Sequence, residues 1–264
     1  MVGGKIGFYM QSVRLVMQSK AVGDWIEDDS NLKEMVAYCA RVSNPSNQEN
    51  HKTSDRLINY LIKHKHWSPF EMVNLVLEID TTRDIARQIL RHRSFTFQEF
   101  SQRYANPEDL GEDLVVRELR LQDTKNRQNS ISVDENFDSN VLHIWKEEQQ
   151  KLYTDARELY KWATDNGVAK EVARSVLPEG LCKSRLYVNG TLRSWIHFIE
   201  VRSGPETQKE HREIAVLCAK AISEAFDHKI LKEKFEPPSV IPEKPKSFYA
   251  RISENIFSRI KNKK

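Results

Sequence analysis

Between residues 91 and 103 the chain reads RHRSFTFQEFSQR: Arg91, Arg93 and Arg103 supply guanidinium forks, His92 a ring donor, Ser101 a hydroxyl and Glu99 a carboxylate. Guanidinium groups pair with phosphate oxygens in bidentate fashion, and hydroxyl and imidazole groups add directed hydrogen bonds, so the set suits a phosphate ester. Glu99 is able to accept from a ribose hydroxyl or a base. The same run also reads as a solvated basic helix end, which the helix dipole favours without any ligand. HWSPFE (66–71) sets His66, Ser68 and a carboxylate around a proline turn, although a histidine beside a tryptophan is commonly structural. Arg174 and the stretch GTLRSWIHFIEVR add Arg193, His197 and Arg202 in the C-terminal half. Each arginine alone is compatible with an exposed helix face, but donors from three separate segments together suit a ligand with several anionic groups.

Composition narrows the classes. The 41 basic and 38 acidic residues nearly cancel, so the net charge of +3 gives no global reason for a nucleic-acid or membrane partner. Only 9 glycines occur in 264 residues, and neither GxGxxG nor GxxxxGK[ST] is present, so any phosphate must be held largely by side chains. Cys39, Cys182 and Cys218 are widely spaced, which predicts reduced thiols in a cytoplasmic protein rather than a zinc or redox pair. No HExxH or cysteine cluster suggests a metal, and Ser101 lacks the GxSxG context of a nucleophile. The N-terminus is not of signal-peptide type, and no apolar run approaches the roughly 18 residues of a spanning helix.

The elements that must position the donors are legible in part. Residues 12–19 and 72–80 read as strands, the second alternating Val73, Leu75, Leu77 and Ile79. Helices are expected over 31–43 and from Thr53 or Ser54 to the turn before Pro69. A further helix is capped at Thr81 with Asp84 three residues on; it aligns Arg83, Arg87 and Arg91 on one face and ends near Arg93. LVVRELRLQD (114–123) reads as a strand, and NRQNS (126–130) as a turn or a mobile arm. Helices follow at 143–167, at AKEVARSVL (169–177), at 191–203 and at 207–226. The pattern predicts an α+β fold, a single domain over 1–231, and a proline-containing basic tail over 232–264 with Ile252, Ile256, Phe257 and Ile260 at helical spacing. Packing on the assembled protein is the simplest role for that tail, and binding to a partner or an acidic surface the other.

Arg91-His92-Arg93, seven residues, then Ser101 resembles the RHRx7S signature of the flavin-dependent thymidylate synthases. HWSPFE, RSVLP, GTLRSWIHFIEVR and TQKEH resemble that family in the same order, so the likeness spans roughly residues 10–230. It implies a central, mostly antiparallel sheet packed with several helices, assembled as a homotetramer whose active sites are shared between subunits. It implies conversion of dUMP to dTMP, with carbon from 5,10-methylenetetrahydrofolate and electrons from NADPH through FAD. By that resemblance Gln88, Arg91, Glu99, Ser101, Arg103 and Arg174 bind dUMP, and Ser101 and Arg103 suit its phosphate. His66, Ser68, Arg91, His92, Arg93, Glu99, Arg193 and His197 fall on the flavin side. Arg202 falls at the uracil ring as the catalytic residue, where a nearby positive charge favours the ionised base.

Three positions depart from the family pattern: Gln98 where asparagine is common, Met72 where histidine is common, and Thr191 where asparagine is frequent. They bear on individual flavin contacts more than on the reaction. A related flavin-dependent change to a pyrimidine nucleotide, such as hydroxymethylation, would use the same contacts. A different class, a nucleic-acid-binding module, would use the Arg83, Arg87, Arg91 face on phosphates and stack bases on Phe95, Phe97 and Phe100; the near-neutral net charge argues against it.

Overall fold

A computed structural model describes residues 11–111 and 115–233. The expected tail, with Ile252, Ile256, Phe257 and Ile260, lies outside the described residues. Strand β2 (Asn74–Thr82) buries Leu75, Leu77, Ile79 and Thr81 on one side, as period-two alternation requires. It pairs antiparallel with β1 (Ser12–Gln18) on one flank and β6 (Lys183–Thr191) on the other, and β3 (Thr96–Glu99) adds to β6, giving the order β1-β2-β6-β3. The register sets Leu77 opposite Val188 and Ile79 opposite Leu186. These residues form one apolar core with α3 (Arg83–Ile89), α6 (Leu192–Arg202) and α7 (Lys209–Ser223). The protein is thus a single α+β domain on an antiparallel sheet.

The other face of the sheet is polar. Arg14 is 2.8 Å from Glu78, Arg185 donates to both oxygens of Asp80 at 2.7 and 2.8 Å, and the Tyr187 hydroxyl donates to Glu78 at 2.7 Å. Tyr187 and Met17 are exposed there.

Helices α1 (Leu32–Ala40) and α2 (Ser54–Lys63) pack together beside the core; Asn31 caps α1 by accepting from the amides of Lys33 and Glu34. The hairpin of β4 (Arg120–Gln122) and β5 (Ser130–Ser132) has its own small core with Phe137 and Val141. Helix α4 (Ser139–Asp165) follows, leaving Trp145, Leu152, Leu159 and Trp162 exposed, and the short α5 (Lys170–Ala173) and α8 (Lys229–Lys232) complete the described chain.

Several expectations are corrected. Strands β3, β5 and β6 are additions to the expected elements; β6 is central and alternates Leu186, Val188 and Gly190 with Arg185, Tyr187 and Asn189. Helix α3 stops at Ile89, before His92 and Arg93, and Thr82 rather than Thr81 precedes it. The Thr81 hydroxyl instead donates to Gln11 at 2.7 Å. The strand expected over 114–123 shrinks to Arg120–Gln122, and the helix expected over 169–177 to α5 and a 3-10 turn at Arg174–Val176. NRQNS is an ordered hairpin turn, as the hydrogen bonds described below show.

The closest packing lies where β6 meets the turn before β3. A Cβ placed on Gly190 would sit 2.3 Å from the buried Phe95 ring, which itself packs on Trp195 at 4.3 Å between centroids. Gly190→Ala must displace a ring held on several sides. It is expected to destabilise the fold by about 1–3 kcal/mol, read as a lower urea midpoint with unchanged slope.

Candidate functional site

Helix α3 turns Ile85, Ala86 and Ile89 into the core, which leaves Gln88 at its edge and delivers the chain to a turn holding Arg91, His92 and Arg93. The His92 ring lies among Phe95, Phe198 and His197, at centroid distances of 4.5, 5.4 and 5.7 Å. Burial, and then the neighbouring His197 and Arg202, push its pKa below the usual imidazole range, while a hydrogen bond to the Ser194 backbone opposes them. Arg202 closes α6. Beside it His211 of α7 is 1% exposed, and its Nδ1 is 3.2 Å from Gln88 Oε1. Gln88 in turn donates to Gln208 at 2.7 Å. Because the amide oxygen of Gln88 accepts, His211 Nδ1 carries the proton. Burial first, then Arg202 and His92, drive the His211 pKa down to about 4.

Three side-chain atoms here, His92 Nε2, Arg202 Nε and His211 Nε2, are buried without a hydrogen-bond partner. Each such atom costs about 1–3 kcal/mol unless water or a ligand meets it, so their clustering marks this place as a candidate site.

Next to them a cavity of about 340 Å³ is lined by Trp67, Glu71, Ser94, Arg193 and His197. Glu71 accepts from the Thr191 hydroxyl at 2.7 Å and from Arg193 at 2.6 Å. The Thr191 bond holds its carboxyl low, burial opposes, and Arg193 adds to the lowering. The same Thr191 oxygen caps α6 by accepting from the Ser194 amide at 3.2 Å. The residue that departs from the family pattern therefore has a defined structural task. Ser68 opens a 3-10 turn that ends at Met72, and Trp67 reaches the cavity, but His66 points to Tyr60 and His64, at 5.9 and 6.0 Å. Arg91 and Arg93 are exposed, without side-chain partners among the described residues.

The remaining candidates lie at the other end of β3, from Glu99 onward, about 10 Å away along the strand at roughly 3.3 Å per residue. Glu99 accepts from the Ser184 hydroxyl at 2.8 Å and lies 3.8 Å from Arg83. The Ser101 hydroxyl accepts from the Arg103 amide at 3.4 Å, and the Arg103 guanidinium pairs with Glu171 at 3.4 Å, near Arg174 at the start of its 3-10 turn. One chain thus divides the candidates into two groups: Gln88, Arg91, His92, Arg93, Arg193, His197 and Arg202 in one, and Glu99, Ser101, Arg103 and Arg174 in the other.

The expected arginine face of α3 is not an open cationic surface: Arg83 is buried and Arg87 pairs with Glu179 at 2.8 Å. Residues without an expected role join the site, namely Trp67, Glu71, Ser94, Gln208 and His211. Gln208 and His211 stood in the TQKEH motif, and Trp67 and Glu71 in HWSPFE, but no spacing rule shows that they meet Gln88 or Arg193.

Fold and site together define an α+β protein in which arginine, imidazole and amide groups are gathered where the turn after α3 meets α6 and α7; among the described residues no cluster of His, Cys, Asp or Glu is placed to hold a metal. Residues 26–226 match the family described as thymidylate synthase complementing protein. The chain is 45% identical over 215 residues to a probable flavin-dependent thymidylate synthase of Paramecium bursaria Chlorella virus 1, covering 81% of this chain and 95% of that protein. It is 47% identical over 192 residues to the flavin-dependent thymidylate synthase of Synechocystis sp., covering 73% and 85%. Among solved structures it is similar to the UMP/dUMP methylase PolB from Streptomyces cacaoi bound with 5-Br dUMP, at 25% identity and a TM-score of 0.68, over 86% of this chain and 94% of that one. The chain belongs to the flavin-dependent thymidylate synthase family.

The depressed His211 pKa has a measurable consequence. The unfolded imidazole titrates near 6.5 and the folded one near 4, so the unfolded state binds more protons in between. The stability is present above the unfolded pKa and is lost as pH falls toward 4, by about 3 kcal/mol at most. Urea unfolding of His211→Asn between pH 4.5 and 7 is expected to show a shallower pH slope than the parent.

Proposed function

We propose that this protein makes dTMP from dUMP by reductive methylation, with the carbon from 5,10-methylenetetrahydrofolate and the reducing equivalents from NADPH by way of bound FAD. The observation that carries the reading is the cluster of partnerless buried atoms on His92, Arg202 and His211, set where the family signature and the end of α6 meet. Family membership supports the reaction class.

A flavin fits the donor set. Arg91, Arg93, Arg193 and His197, with Ser68 and Trp67 beside the cavity, supply cationic, hydroxyl and aromatic groups of the kind a flavin dinucleotide needs, and His92, kept neutral by burial, offers one donor and one acceptor. His66 and Glu99 are the weaker assignments, because the one packs on Tyr60 and the other is engaged by Ser184. When bound, FAD supplies the redox chemistry.

The protein's own part is electrostatic. Arg202, its Nε buried without a partner, is placed to stabilise an ionised uracil, which activates the ring without a covalent enzyme nucleophile. The cysteines agree: burial pushes the Cys182 thiol up to about 11 and raises Cys39 and Cys218 as well, so none is an activated thiolate. Gln88, oriented by His211 and Gln208, is the amide contact to the nucleotide, while Ser101, Arg103 and Arg174 are its phosphate contacts.

These last three are separated from Gln88 and Arg202 within one chain by β3. A homotetramer in which one subunit's Ser101, Arg103 and Arg174 complete another's site resolves that separation. The exposed apolar residues of α4 and the exposed Met17 and Tyr187 on the sheet are surfaces available for such an assembly. The domain is proposed to end near residue 231, and the protein to work in the cytoplasm with its thiols reduced.

The test is the visible absorption spectrum of the purified protein, then product analysis with dUMP. A protein-bound oxidised-flavin band that shifts with dUMP, followed by dTMP formation, is expected; a colourless protein that takes up no added FAD overturns the reading. Arg202→Ala is expected to keep the flavin band and lose turnover by about 10²–10³-fold, and near-normal dTMP formation would remove its catalytic role. Ser101→Ala is expected to weaken dUMP binding and slow turnover without abolishing it, checked by titration and steady-state rates.

A further inference from the structure

Gln208, which accepts from Gln88, also lines a second recess, of about 250 Å³, between the β4–β5 hairpin and the start of α7. Four cations line it: Arg120, Arg127, Lys209 and Arg212. Two are neutralised within the protein. Arg120 meets Glu210 at 2.7 Å and Glu118 at 3.0 Å, and Lys209 meets Glu118 at 2.6 Å. Glu210 stays ionised although burial opposes it, because Arg117 and Arg120 outweigh that cost. Arg127 and Arg212, from elements far apart in sequence, have no side-chain partner among the described residues.

The loop that carries Arg127 is rigidly built. The Gln122 amide donates to the carbonyls of Asp123, Arg127 and Asn129 at 3.2, 3.1 and 3.3 Å. Asp123 accepts from the amides of Lys125 and Asn126 at 2.8 and 3.3 Å and from the Asn129 side chain at 3.0 Å. Asn126 accepts from the Gln128 amide at 3.0 Å. These bonds fix the backbone course of the loop that brings Arg127 to the recess. Ser130, Ser132 and Thr207 add hydroxyls to the wall. Forked guanidinium groups with hydroxyls suit a phosphate, whose oxygens accept several bonds at once.

We propose that this recess is a second anion site, taking the phosphate of a nucleotide through Arg127 and Arg212, apart from Ser101 and Arg103. Two sources share that chemistry: the 5′-phosphate of a second nucleotide molecule, the first being held at Ser101, Arg103 and Arg174, and the 2′-phosphate of a phosphorylated dinucleotide reductant. The choice between sources rests on the function proposed above; the anion site itself does not. Its wall shares Gln208 with the Gln88 hydrogen bond, so occupancy is linked to the neighbouring site through one amide.

The experiment is calorimetric titration of the full-length protein and of Arg127→Ala/Arg212→Ala with pyrophosphate, dUMP, deoxyuridine and 2′,5′-ADP, the variant's fold being checked by thermal unfolding. Pyrophosphate and one nucleotide phosphate are expected to bind the variant at least about 10-fold more weakly, as removal of charge-assisted bonds implies, while deoxyuridine binds equally. Loss of a second dUMP equivalent assigns the recess to a further nucleotide phosphate, and a loss for 2′,5′-ADP assigns it to the reductant. Arg127→Lys/Arg212→Lys keeps the charge without the forks and is expected to fall between parent and alanine variant. Pyrophosphate binding within twofold of the parent in the alanine variant overturns the site, and a loss confined to pyrophosphate overturns the nucleotide assignment. Failure of dTMP synthesis alone leaves the pyrophosphate result standing, so the two readings fail separately.

Discussion

The nine-residue antiparallel pairing of β2 with β6 is the constraint on which the rest of the structure depends. Asn74 pairs with Thr191 and Thr82 with Lys183, so the two strands end at opposite edges of the ladder. Each strand runs directly into a helix, β2 into α3 and β6 into α6. Both helices return across the same apolar face, which brings the turn after α3 beside the side chains of α6. His92 meets His197 and Phe198 for that reason and not through any local preference. Trp195 ties the arrangement down by donating from its indole to the Leu75 carbonyl at 3.2 Å inside the core.

The arginines divide according to whether a carboxylate reaches them. Arg83, Arg117, Arg120 and Arg185 are engaged by Glu99, Asp84, Glu210 and Asp80, and these pairs join elements distant in sequence. Arg117 links the segment before β4 to the start of α3 and to α7 at once. A buried guanidinium without its carboxylate would be strongly unfavourable, so these pairs lock positions more than they add stability. Arg91, Arg93, Arg127 and Arg212 lack such partners among the described residues, and Arg127 and Arg212 line one recess, where their charge stays uncompensated.

The histidines show the complementary effect of burial. His92 and His211 lose the solvent that would stabilise their charged forms, and Arg202 between them disfavours protonation further. A guanidinium cannot be neutralised in the same way. The Arg202 guanidinium thus keeps its charge beside two rings whose charged forms burial disfavours.

Much was legible in the chain itself. The alternation of Leu75, Leu77 and Ile79 and the stripes of α6 and α7 reveal their elements, because a buried face imposes its period on local sequence. The donors Arg91, His92, Arg93, Ser101, Arg103 and Arg202 and the family likeness are equally local. The pairing of β6 was not legible, since Arg185 and Tyr187 on its second face meet Asp80 and Glu78, carboxylates more than a hundred residues away. Nor was the role of Glu71, which acquires Arg193 and Thr191 only when β6 closes on β2. Residue types, charges and periodicities are properties of neighbouring positions, so the sequence alone determined which chemistry this protein carries. Which donors are buried, which arginines are paired with a carboxylate and which are not depend on long-range pairing, and only the tertiary structure decided them.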